Sequence, residues 1–196
     1  NRYTLFDLHG WYFAHLYQYG YNLSKGLEKA CRMGRRDLVE RMILKGADDW
    51  NFGFFGACEG GHHELVELMI KKGTKHWDFG LMGACRGGHR DIAEWMIQKG
   101  ACDWSSYGLA GACQGGHSKL VEWMIELGAT KWNDGLWGAC VGEHWDLVEF
   151  MIKNAGDSNL DWNFALYQVC CYKRRDLAKL VIEKGADPKS CPSLLL

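Results

Sequence analysis

The chain has 196 residues, 47% of them hydrophobic and 13% aromatic, enough apolar material to bury a substantial continuous core. A formal net charge of -1, with Lys and Arg interleaved among Glu and Asp, gives no basic stripe for phosphate binding and excludes DNA and RNA as favoured partners. No uninterrupted apolar run is long enough to span a membrane and no signal peptide is recognisable, which excludes a membrane partner.

In chain order, residues 2–21 are dense in aromatics (Tyr3, Phe6, Trp11, Tyr12, Phe13, Tyr17, Tyr19 and Tyr21) and lack the G-A-C signature that recurs from residue 56 onward. Residues 1–21 are expected to form a helical cap sealing the first repeat, with an aromatic docking patch as the alternative. Starting at Asn1 rather than Met, the chain is expected to lack its native start.

From residue 22 to 187 the sequence repeats itself. The stretch from Trp77 to Gly100 reappears around Trp50, Trp104 and Trp132 and, more loosely, Trp162, giving units 22–49, 50–76, 77–103, 104–131, 132–161 and 162–187. The marker cysteines Cys31, Cys58, Cys85, Cys113, Cys140 and Cys170 are spaced 27, 27, 28, 27 and 30 residues. A period of this size predicts a solenoid with an extended binding surface.

The first unit already departs from the pattern, with Leu23 where later units have Trp and Arg35 where they have His. Each middle unit predicts two helices. The first covers about eight residues around G-L-x-G-A-C, and the second begins after G-G-H and runs through L-V-E-W-M-I with apolar residues at helical spacing. Asp37, Glu64, Asp91 and Asp146 fall in the first turn of the second helix, and Gly46, Gly73 or Gly100 closes it in a left-handed stop. The last unit replaces glycines with Gln168 and Tyr172 and His with Arg174, as a C-terminal cap would, and Pro188 and Pro192 come after it in the tail, residues 188–196. The end Leu194-Leu195-Leu196 is apolar enough to dock on the last unit or continue into a longer chain.

Because the marker cysteines occupy one internal place in successive units, they are read as small buried hydrophobes kept reduced, which implies a reducing intracellular compartment. The pairs Cys58/His62, Cys85/His89, Cys113/His117 and Cys140/His144 invite a zinc reading. Each unit supplies only two ligands, and helices about 8–10 Å apart cannot complete a tetrahedral site, so no metal or other cofactor is implied. The histidines are expected to tie each turn to the backbone of a neighbouring unit. Candidate nucleophiles and bases recur once per unit in one structural role, so no catalytic constellation assembles and an enzyme is not expected.

The run A-C-x-G-G-H-x-x-L-V-E-x-M-I-x-K-G-A, recurring at Ala57, Ala84, Ala112 and Ala139, resembles the second half of the ankyrin repeat. The resemblance covers nearly the whole chain after Tyr21 and implies an all-α, ankyrin-like helix-turn-helix solenoid without catalysis. Two departures stand out: the T-P-L-H entry is absent, and the period is 27 or 28 residues against about 33, which implies units without the projecting β-turn finger. Short Trp-rich and Cys-rich units of this kind look like those of ankyrin-repeat proteins encoded by giant DNA viruses.

The ladder Trp50, Trp77, Trp104, Trp132 and Trp162 places an indole just before each first helix, where it is expected to seal successive loops; Trp95 and Trp123 are assigned to the core. Gly53, Gly56 and Gly60 fall on one side of the first helix, opposite Phe55 and its equivalents Met82, Ala110, Trp137 and Tyr167. The bulky residue of one unit is expected to seat in the glycine notch of the next. One position of the first helix points away from both helix partner and neighbours: Arg32, Glu59, Arg86, Gln114, Val141 and Cys171 in turn. With Trp137, the residues Arg32, Glu59, Arg86, Gln114 and Val141 are the candidate partner-binding set, although a merely solvated face would vary too. The expected function is a non-catalytic scaffold binding another protein along a concave first-helix face. The alternative is a structural or assembly component that self-associates through its ends.

Overall fold

In a computed structural model, residues 22–156 and 160–190 are described, and no β-strand occurs among them. The expected cap over residues 1–21 and the tail beyond residue 190 lie outside the described residues. Residues 22–32 are helical (α1). After it come α2 Arg36–Leu44, α3 Trp50–Gly60, α4 His63–Lys71, α5 Trp77–Gly87 and α6 Arg90–Lys99. A π-helical turn, Trp104–Gly108, leads into α7 Leu109–Gly115, and then come α8 Ser118–Glu126, α9 Trp132–Val141, α10 Trp145–Asn154, α11 Trp162–Cys171 and α12 Arg175–Glu183. Pro188–Ser190 form a short 3-10 turn. The protein is thus an all-α helical repeat, each sequence unit supplying one helix pair. It divides into two compact units, residues 1–76 and 77–196, at a border between repeats.

The second helices form because their apolar residues recur on one face. Leu65, Val66 and Met69 are buried on α4, Ile92, Ala93 and Met96 on α6, and Leu147, Val148 and Met151 on α10. The G-G-H signature is a helix stop. Gly61, Gly88 and Gly116 adopt φ of 76°, 84° and 77°, a left-handed conformation open to glycine. The next residue, histidine, then reaches back to the first helix through its N–H: His62 to the Ala57 carbonyl at 3.0 Å and His117 to that of Ala112 at 3.0 Å. Gly46, Gly73 and Gly100 close the second helices with φ of 93°, 108° and 110°, as their sequence position predicts.

The first helices are longer than the eight or so residues expected, because the tryptophan opens the helix rather than preceding it: α3 and α5 have 11 residues. In the unit with the 28-residue spacing, the extra residue between Trp104 and Gly108 is absorbed as the π turn. Asp103 steadies that turn, its carboxylate accepting from the Ser106 N–H at 3.0 Å.

In the second compact unit the most extensive packing is between first helices, α5 on α7 and α7 on α9, while α9 and α11 each pack more on their own second helix than on one another. Glycine makes this approach possible, but not as the sequence suggests. A Cβ added at Gly111 would stand 2.5 Å from the Met82 carbonyl oxygen, at Gly115 2.1 Å from that of Arg86, and at Gly138 2.3 Å from that of Ala110. In the first compact unit, Gly56 and Gly60 meet the Glu28 and Arg32 carbonyl oxygens, each at 2.2 Å. At Gly56, Gly60 and their equivalents the notch is therefore filled by the main chain of the neighbouring helix, and at Gly53 by the Met69 and Leu27 side chains, not by the bulky residue at the Phe55 position. Two backbones this close leave no volume for one.

Candidate binding surface

Three ladders hold the units and remove most of the chemistry-bearing side chains from availability. The marker cysteines Cys31, Cys58, Cys85, Cys113 and Cys140 are free and buried. Burial pushes the Cys31, Cys85 and Cys140 thiols up to about 12, and the Cys58 and Cys113 thiols up as well. The reading of every marker cysteine as reduced and buried fails at the last one: Cys170 is disulfide-bonded and half-buried. The last unit has lost the glycine spacing that encloses the others.

The histidines tie units together through the main chain. His62 Nε2 donates to the Arg32 carbonyl and His117 Nε2 to the Arg86 carbonyl, both at 3.1 Å. Each ring lies over the left-handed glycine of the preceding unit, His62 over Gly34, His117 over Gly88 and His144 over Gly116. Where arginine replaces histidine it turns outward: Arg35 pairs with Asp37 and Arg174 with Asp176, and the Arg174 guanidinium lies 4.4 Å from the Trp145 ring.

The third ladder is one that sequence reasoning missed. The residue after each tryptophan accepts a hydrogen bond from the loop that ends its unit. Thr74 Oγ1 donates to Asn51 Oδ1 at 2.7 Å, and Asp78 Oδ1 accepts from the Cys102 and Asp103 N–H groups at 2.8 Å each. Ser105 Oγ accepts from Thr130 N–H at 2.8 Å, and Asn133 and Asn163 accept from Asp161 and Asp187 N–H at 3.0 and 2.8 Å. The recurring Asn, Asp or Ser after Trp is the signal that could have found it. These bonds organise the loops, beside which the ladder tryptophans are all half-buried.

The predicted outward position is only partly outward. Arg32 is exposed, but Glu59 retains only 11% side-chain exposure and faces Arg32 at 3.4 Å, while Arg32 also pairs with Glu28 at 3.1 Å. Arg86, Gln114 and Val141 are half-buried, and Cys171 is exposed. The structure brings Arg32 together with Glu59. Trp137 belongs to a different place, one turn before Val141. Trp123 is buried as expected, whereas Trp95 is half-buried, so its assignment to the core is corrected.

Trp137, 39% exposed, lines a cleft of about 220 Å³ with Met82, Ser106, Tyr107, Ala110 and Asp134. Three successive first-helix segments meet there: α5 supplies Met82, the π turn and α7 supply Ser106, Tyr107 and Ala110, and α9 supplies Asp134 and Trp137. Tyr107 is 43% exposed on the π turn, and Ser106 Oγ donates to Asp134 Oδ2 at 2.5 Å. The lining holds one charge, a carboxylate, and no basic group. Arg86, Gln114 and Val141 lie one turn further along the same helices. Among the described residues, no three His, Cys, Asp or Glu side chains group as metal ligands, and no helix is long and apolar enough to cross a membrane.

No protein-family model matches the chain, and no curated protein matches it.

Proposed function

We propose that the protein is a non-catalytic interaction scaffold of fingerless, ankyrin-like units that binds a partner protein through its first-helix faces. The carrying observation is how the side chains divide. The recurring cysteines, histidines, glycines and post-tryptophan residues are spent on packing and on bonds between units, whereas the exposed aromatics Tyr107, Trp137 and Tyr167 lie on first-helix segments where the units differ. Exposed aromatics of this kind are what a binding hot spot uses. Thiols pushed upward by burial and histidines committed to carbonyls support a reading without catalysis. The alternative, assembly through the ends, rests on residues outside those described.

The test is isolation of the protein with its bound partners from its native source, comparing the unaltered chain with Trp137→Ala and Tyr167→Ala variants of unchanged melting temperature. A defined protein partner lost on substitution is the expected result. A partner set indifferent to both substitutions refutes binding through these faces.

A further inference from the structure

Building on the scaffold reading, we propose that the cleft beside the π turn receives one cationic side chain, an arginine, of a partner protein. Its lining is where the units break their own pattern. The third residue of the first helix is Phe52, Phe79 and Phe164 in three units, but Ser106 with the inserted Tyr107 in the fourth and Asp134 in the fifth. The bulky position carries Phe55, Met82, Trp137 and Tyr167, but shrinks to Ala110 in the fourth. All these departures line one cleft. Packing alone would be served by repeating the pattern.

The chemistry of the lining selects the occupant. Tyr107 and Trp137 offer aromatic surface, which attracts a cation through the ring quadrupole, and Asp134 supplies the only charge. Ser106 binds one carboxylate oxygen, fixing its orientation, and a carboxylate has further lone pairs to give. A guanidinium matches both features, since it stacks flat on a ring and presents a fork of donors to a carboxylate. Elsewhere the chain satisfies its tryptophans in this way, with Lys72 Nζ 5.2 Å from the Trp50 ring and the Arg90 guanidinium 4.7 Å from that of Trp123. Among the described residues no Lys or Arg covers Trp137 or pairs with Asp134. At about 220 Å³ the cleft falls below the size range of drug-sized ligand sites and suits a single side chain.

The test titrates the full chain with the peptide acetyl-Gly-Gly-Arg-Gly-Gly-amide and monitors the backbone amide resonances of Tyr107 and residue 134, which line the cleft and persist in every variant, by NMR. Matched peptides carry citrulline, a neutral isostere, or norleucine. The arginine peptide is expected to give a saturable shift that weakens with added salt. Citrulline and the Asp134→Asn variant, which keeps an acceptor for Ser106, should each weaken binding about tenfold, and Trp137→Ala should abolish it. No shift with the arginine peptide at millimolar concentration, or equal shifts with citrulline or norleucine, overturns the proposal. A native partner that needs Trp137 but is indifferent to Asp134→Asn also overturns the cation while sparing the scaffold. Salt-sensitive arginine binding that Asp134→Asn weakens, in a chain whose partner set ignores both Trp137→Ala and Tyr167→Ala, upholds the cleft and removes the scaffold reading instead.

Discussion

Gly111→Ala should destabilise the protein even though alanine is the better helix former. The added Cβ would lie 2.5 Å from the Met82 carbonyl oxygen and 3.2 Å from Cys85 Cβ, where an ordinary contact needs about 3.5 Å. Relief requires moving one main chain away from another by about 1 Å, since neither the carbonyl nor the glycine is on a flexible arm. Overpacking of this kind costs about 1–3 kcal/mol, and a clash of backbone on backbone belongs at the upper end. The helix-propensity gain of about 1 kcal/mol offsets part of it, leaving a net loss of about 2 kcal/mol. For a chain of this size that corresponds to a fall in Tm of about 4–8 °C. Differential scanning calorimetry and urea denaturation measure it, with two controls. Gly53→Ala meets chiefly the Met69 sulfur at 2.6 Å, a side-chain atom that can swing aside, and should lose less. Gly128→Ala has φ 93° with nothing within 4 Å and should lose only the left-handed cost of about 1–2 kcal/mol. A Gly111→Ala chain as stable as the native one would refute the argument that glycine serves close main-chain approach.

Glu143 has φ 58° at the place where other units have the second glycine of G-G-H, so Glu143→Gly should raise stability by about 0.5–1 kcal/mol in urea denaturation, the relieved strain exceeding the entropy glycine adds to the unfolded chain. Alkylation at pH 8 with detection by mass spectrometry should modify Cys102 and Cys171, which are exposed, within minutes, and Cys58, Cys85 and Cys113 only after denaturant is added. Arg35 donates to the Asp37 carboxylate and holds it at about 2 against an ordinary 3.8, and Arg174 does the same for Asp176. A carboxylate held below its unfolded value contributes stability that is complete above about pH 4 and lost as pH falls toward 2. NMR titration of the Asp37 side chain should show this midpoint, and Arg35→Met should return it toward 3.8.

Legible in the sequence is whatever repeats with a fixed physical meaning. A left-handed stop requires glycine, so G-G-H and K-G place the helix ends, and apolar residues at helical spacing place the second helices. The outward row fails at Glu59 because a helical wheel assigns direction within one helix, whereas burial of that carboxylate depends on how near Arg32 comes. The glycine notch is located correctly and filled wrongly for the same reason: a wheel carries side chains, and the neighbour that arrives at Gly56 and Gly60 is a carbonyl oxygen. The post-tryptophan ladder is hidden because Asn, Asp and Ser look like different residues until their shared capacity to accept a hydrogen bond is considered. The cleft is half visible. Trp137 stands out in the bulky row, and Asp134 stands in register where other units carry Phe, but their companion Tyr107 is an insertion, and a spacing of 28 with 27 on either side is the trace it leaves. A single insertion in a regular repeat has to be absorbed somewhere, and a π turn absorbs it by pushing one residue outward. The irregularity that costs the repeat its uniformity is therefore what supplies Tyr107 to the cleft, and deleting that residue should restore the plain helix and remove the site together.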